Sequence, residues 1–133
     1  MAAADTLINR IKKASEDLVY ISETDAAIEP VSFNFSGEAT PDTISKATGG
    51  KTKEKIEEVS VSQFFDRLTK ERDWHTAADK KRTKQFAKLR SLLEKELEDI
   101  KVFRIGKIRI DIYVLGKTQD GTIAGIKTAA LET

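Results

Sequence analysis

The run VFRIGKIRIDIYVLGKTQDGTIAGIKTAAL, from Val102 to Leu131, constrains this chain more than any other stretch. Apolar residues alternate with polar ones, as in strands whose successive side chains face opposite ways. Two turns divide it. Gly106-Lys107 turns VFRI into IRIDIYVLG, and Asp120-Gly121 supplies a tight hairpin turn into the last strand. Strands joined by such short connections run antiparallel, so the segment predicts a three-strand meander that continues almost to the last residue. Ile108, Ile110, Ile112 and Val114 share one face, which needs a cover. The other face carries Arg109, Asp111 and Tyr113 and is expected either to be wet or to receive helices of its own.

Helices are available to cover it. Leu7, Ile8, Ile11, Ala14 and Leu18 recur at helical spacing after Asp5 or Thr6 as a cap, which predicts a helix to about Leu18. Phe86, Leu89, Leu93, Leu97 and Ile100 mark the longest helix, from about Thr76 to Asp99. SVSQFFDRLT reads as a short helix with Phe64, Phe65 and Leu68 inward. Between these lie a linker, YISETDAAIEP, and a half-buried strand, VSFNF, with Val31, Phe33 and Phe35 on one side. A short helix is expected from Pro41, closed by the turn GGKTK, and IEEVSV reads as a second strand. Helices and strands are partly segregated along the chain, so the fold class is α+β.

With 133 residues, one domain with a real core is expected. The 23 basic and 22 acidic residues leave a net charge of +1, without the basic excess of a dedicated nucleic-acid binder. There is no cysteine, hence no disulfide framework and no thiolate metal site, which fits a cytosolic protein. The start, MAAADTLINRIKK, lacks the basic and apolar regions of a secretory signal, and no apolar run approaches the roughly 20 residues of a membrane span.

Enzyme constellations are thin. His75 is the one histidine, and neither HExxH, CxxC nor GxSxG occurs. ATGGKTK lacks the first glycine of a phosphate loop. The carboxylate pairs Glu57-Glu58 and Asp25-Glu29, and the basic run KKRTK at 80–84, read as solvated surface. Trp74 is different. The only tryptophan stands in a charged loop, where it either folds back on the core or serves as an exposed anchor for a partner.

SQFFDR, then DW, then the apolar-striped helix, then VFRIGKIRIDIYVLGKTQDGTIAGIKTAALET, taken in order, resemble the nuclease A inhibitor family, and ASEDLVYISE resembles its first helix and following loop. The similarity covers most of the chain and is weakest over 24–58. It implies one domain over residues 1–133, a three-layer α/β/α sandwich similar to the plant pathogenesis-related fold, with a mixed or antiparallel sheet. It implies a cytosolic protein, monomeric when free and without a cofactor. Such a protein blocks a sugar-nonspecific DNA/RNA endonuclease of the ββα-metal type 1:1, touching neither nucleic acid nor membrane. A module of the same fold with another protein partner is the alternative.

The same resemblance carries over an acidic residue after the first helix onto Glu23, a tryptophan onto Trp74 and a C-terminal threonine onto Thr133. The hydroxyl or carboxylate of Thr133 is thereby implied to approach the catalytic Mg²⁺ of the nuclease. Magnesium favours oxygen ligands and accepts few from protein, and a strand tied into a sheet presents them at low entropic cost. Arg72 stands two residues before the tryptophan, where the family carries an amide. The near-neutral charge also departs from the acidic family pattern and weakens long-range steering towards a phosphate-binding cleft.

Overall fold

The predicted meander is the middle of a larger sheet. The computed structural model describes residues 3–16, 18–21, 25–33, 56–69, 76–119 and 121–131. Along them run α1 (Ala3–Ala14), β1 (Val19–Ile21), β2 (Asp25–Ala27), β3 (Glu29–Phe33), β4 (Ile56–Val59), α2 (Val61–Thr69), α3 (Ala77–Glu96), β5 (Glu98–Ile105), β6 (Arg109–Lys117) and β7 (Ile123–Leu131). β3 to β7 form one sheet in the order β3-β7-β6-β5-β4, with every neighbouring pair antiparallel, and β1 and β2 form a separate hairpin. The architecture is α+β. The helix predicted from Pro41 and its GGKTK closure, like Asn34 and Phe35 of VSFNF, lie outside the described residues.

Register decides what each face carries. Val102, Val114 and Ile126 stand abreast on one face, and Phe103 and Tyr113 on the other. All three described helices pack on the first face. Leu7 and Ile11 of α1, Phe64 and Phe65 of α2, and Phe86, Leu89 and Leu93 of α3 close over Val102, Ile112, Val114 and Ile126. Tyr20 stacks on Phe64 at 5.6 Å, and Phe64 meets Phe65 edge-on at 4.9 Å. The second face is not wet at its centre. Phe103, Ile105, Tyr113, Leu115 and Ile123 form a second buried cluster, flanked by Val31, Phe33 and Ile56. Among the described residues its margins are open to solvent, at Arg109 and at Glu58 and Glu29 on the outer strands.

Several element boundaries differ from expectation for local reasons. α1 ends at Ala14, because the Ser15 hydroxyl donates to the Ile11 carbonyl at 2.8 Å and the chain turns there. Leu18, outside the helix, accordingly reaches the core from the turn. Asp5 and Thr6 lie within α1 rather than capping it. The expected linker holds the β1–β2 hairpin and the start of β3. α3 stops at Glu96: Leu97 is extended, Asp99 has a positive φ of 50°, and the β5–β6 register slips between Glu98 and Lys101. This β-bulge turns Glu98, Asp99 and Ile100 into strand although their spacing also suits a helix. Ile108 leaves the face it was expected to share with Ile110, Ile112 and Val114; it lies in the β5–β6 turn, 59% exposed.

One polar atom in the core stands out. The Thr128 hydroxyl, beside Ile112 on the helix-covered face, is buried without a hydrogen-bond partner. A desolvated, unpaired hydroxyl is unfavourable, and valine has nearly the same shape. Thr128→Val should therefore raise stability by about 1 kcal/mol in urea denaturation. A lower midpoint would mean that the hydroxyl is satisfied in solution.

Candidate functional site

Glu23, Arg72, Trp74, His75 and Thr133 lie outside the described residues. The elements on either side of them are described, and these set where each segment is attached.

Trp74 and Arg72 belong to the connection between α2 and α3. That connection ends in a built cap. The Thr76 hydroxyl accepts from the Asp79 backbone N–H at 3.2 Å, and the Asp79 carboxylate accepts from the Thr76 backbone N–H at 3.0 Å. This reciprocal pairing satisfies two donors at the helix start and fixes the entry of the chain two residues after Trp74. The Thr76 backbone N–H, then its hydroxyl, hold the Asp79 carboxyl below its ordinary value of 3.8. A carboxyl with a lowered folded value adds stability above its unfolded value and loses it as pH falls through the folded one. Thr76→Ala should destabilise the protein by about 1 kcal/mol at neutral pH, measured by thermal denaturation. The deficit should shrink as Asp79 is protonated below about pH 4.

Glu23 is the middle residue of the three that connect β1 to β2, between the paired Ile21 and Asp25. The hairpin is joined to β3 through Ile28, whose N–H donates to the Leu18 carbonyl at 3.2 Å. β3 pairs with β7 only from Phe33↔Ile123 to Glu29↔Lys127. Both hairpin strands also contact β7. Continuing the direction of β3, they lie towards the part of β7 that β3 leaves uncovered.

β7 is an interior strand. It is bordered by β3 on one side and by β6 along its whole length on the other, to Arg109↔Leu131. Two peptide units after Leu131 reach at most about 7 Å, so Thr133 is tethered close to that last pair.

These attachments converge on one end of the sheet, the end where β7 finishes. β1 ends towards it, because β1 is antiparallel to β2, and β2 leads through Ile28 into β3, which is antiparallel to β7. α3 is joined to β5 through Leu97 alone at the opposite end, where Glu98 pairs with Lys117. α1 runs antiparallel along α3, with Arg10 bonded to Glu96 at 2.8 Å and Gln85 bonded to the carbonyls of Ala14 and Glu16. A helix of 20 residues is about 30 Å long, so its capped N-terminus returns to the end where β7 finishes.

Catalytic chemistry has little support among the described residues. No group of three or more histidine, cysteine, aspartate or glutamate side chains is placed to hold a metal ion there. A groove of about 660 Å³ lies between the end of α1 and β2–β3, lined by Asn9, Lys12, Lys13, Glu16 and Glu29 among others. Its one hydroxyl, on Ser15, is committed to the Ile11 carbonyl at 2.8 Å. The basic run on α3 is a solvated face: Lys80, Lys81 and Lys84 are exposed and Arg82 pairs with Asp79 at 3.1 Å. No described helix is long and apolar enough to cross a membrane.

A family model described as nuclease A inhibitor-like protein matches residues 5–133, nearly the whole chain. The chain belongs to the nuclease A inhibitor-like family. No curated protein sequence matches it. The inhibitor-like description of the family suggests a non-catalytic protein. The family name points to a nuclease as the protein partner. The sequence reading missed one candidate, the exposed Ile108. Its signal was the Gly106-Lys107 turn immediately before it.

Proposed function

We propose that this protein inhibits a magnesium-dependent, sugar-nonspecific nuclease of the ββα-metal type by covering its catalytic cleft 1:1. The observation that carries this reading is the family match over residues 5–133. The convergence of the β1–β2 connection, the start of α3 and the end of β7 on one end of the sheet supports the location of the binding surface. In this reading residues 1–133 act as one domain, a three-layer sandwich, monomeric in the cytosol until it meets the nuclease, with no catalysis and no cofactor of its own. Glu23 faces cationic groups of the cleft, Trp74 with Arg72 is the central anchor, and Thr133 reaches the nuclease metal. A net charge of +1 leaves association with little electrostatic steering, so affinity rests on these short-range contacts.

The test is hydrolysis of DNA and RNA by a panel of ββα-metal endonucleases with the protein added at increasing concentration. Stoichiometric loss of activity in at least one is expected. A protein that leaves every member active is not an inhibitor of this class, and the reading of a binding module with another protein partner replaces it. Trp74→Ala should weaken inhibition by about 2–4 kcal/mol with little change in melting temperature, as expected of an aromatic anchor at the centre of an interface. Blue-shifted, quencher-resistant tryptophan fluorescence in the free protein would instead assign Trp74 to the core.

A further inference from the structure

Ile108 is the one large apolar side chain exposed among the described residues, at 59%. It sits between exposed Lys107 and Arg109 in the turn joining β5 to β6. The turn is anchored from below. Ile105 and Ile110 on either side are buried, each in a different core cluster, and Arg109 is the register partner of Leu131. Ile108 belongs to neither core cluster, so a polar residue at this turn tip would cost little core contact among the described residues.

The position gives this side chain a meaning. From Ile108 through Arg109 and its partner Leu131 to Thr133 the path is at most about 16 Å, whatever course the last two residues take. An interface of standard size covers about 800 Å² on each partner, a patch of about 16 Å radius. A nuclease centred on Thr133 therefore has the β5–β6 turn within its footprint. We propose that Ile108, flanked by Lys107 and Arg109, is a second anchor for the nuclease, outside the catalytic cleft and selective for its rim. This rests on the inhibitor reading above. The complementary feature on the nuclease is an apolar depression bordered by carboxylates. The phosphate-binding groups of such a cleft are cationic and common to the class, so they attract any inhibitor carboxylate alike. A basic-flanked isoleucine distinguishes a nuclease whose rim carries such a depression from one whose rim is cationic. Like charge at the rim rejects the wrong partner as effectively as the right one is held.

Inhibition constants for the parent, Ile108→Ala, Ile108→Asp, the double variant Lys107→Glu/Arg109→Glu and a Thr133 deletion separate the alternatives, measured on each nuclease that the parent inhibits. Ile108→Ala should weaken inhibition roughly tenfold and Ile108→Asp more, at unchanged melting temperature. The double charge reversal should lower the association rate and change its salt dependence without unfolding the protein. If the Ile108 and charge variants inhibit like the parent while the Thr133 deletion fails, the turn lies outside the interface and the anchor is refuted, whereas the cleft reading stands. If the parent inhibits no nuclease, the cleft reading and the anchor fall together. Sedimentation of the free protein covers the remaining occupant. A dimer that Ile108→Asp dissolves would assign the turn to self-association and overturn the proposal.

Discussion

Gly125→Ala is expected to lower stability by more than about 4 kcal/mol, enough to leave little folded protein at 37 °C. Gly125 sits at the middle of β7, opposite Leu115 of β6 and Val31 of β3. A methyl group at this position would overlap the Val114 carbonyl oxygen and would lie 2.9 Å from the carbonyl carbon and 3.1 Å from the Leu115 Cα. All three are backbone atoms of the neighbouring strand, so no rotamer change relieves the overlap. Relief requires β6 and β7 to separate at the centre of the sheet, breaking their ladder and opening both core clusters. Gly121 provides the comparison. A methyl there meets nothing within 4 Å, and only its φ of +82° disfavours alanine. Gly121→Ala should cost about 1–2 kcal/mol, the usual penalty of a left-handed conformation. Circular dichroism in urea reads both variants. Equal midpoints would mean that the sheet accommodates the methyl at Gly125 and that the strand approach is looser than described.

The contrast between what the sequence made legible and what it hid follows the range of the interactions. The meander was legible because alternation and turn chemistry are local properties of Val102–Leu131. α2 and the body of α3 were legible for the same reason, since Phe64, Phe65, Phe86, Leu89 and Leu93 repeat at helical spacing. The end of α3 was not. Leu97 and Ile100 extend its periodicity, but pairing of Glu98 with Lys117 and the bulge at Asp99 draw the segment into β5. That is a tertiary preference overriding a local one. β1 and β2 are three residues each, too short to leave a periodic signal. Ile108 was misplaced because alternation through a turn counts residues correctly but ignores the change of direction at Gly106, whose φ is 113°. The candidate site was the least legible. Glu23, Trp74 and Thr133 lie on segments far apart in sequence; Trp74 alone stood out by itself, and only the resemblance grouped the three. What the fold adds is a reason to group their attachments: the paired Ile21 and Asp25 ends of β1 and β2, the capped start of α3 and the end of β7 lie towards one end of the sheet.

Removing Thr133, or extending the chain beyond it, is expected to abolish most inhibition while leaving the melting temperature unchanged. In the proposed complex the Thr133 hydroxyl and carboxylate take positions near the nuclease Mg²⁺ that water or substrate phosphate oxygens otherwise hold, so inhibition is competitive with substrate. β7 supplies the rigidity: it is paired with β6 as far as Leu131, which leaves two residues to reach the metal. Deleting one residue withdraws the carboxylate by about 3.3 Å along an extended chain, more than magnesium coordination tolerates. A C-terminal tag replaces the carboxylate with an amide and brings bulk into a closed cleft. Neither change touches the two apolar clusters, so folding has little at stake. The expected pattern is a C-terminally tagged protein and a Thr133 deletion that melt like the parent and lose at least about a hundredfold in inhibition, with an N-terminal tag harmless. The hundredfold corresponds to about 2.7 kcal/mol, comparable to one strong interface anchor. A C-terminally tagged protein that inhibits the same nuclease with unchanged affinity would show that the cleft is closed by Glu23 and Trp74 alone, with β7 serving the fold and not the metal.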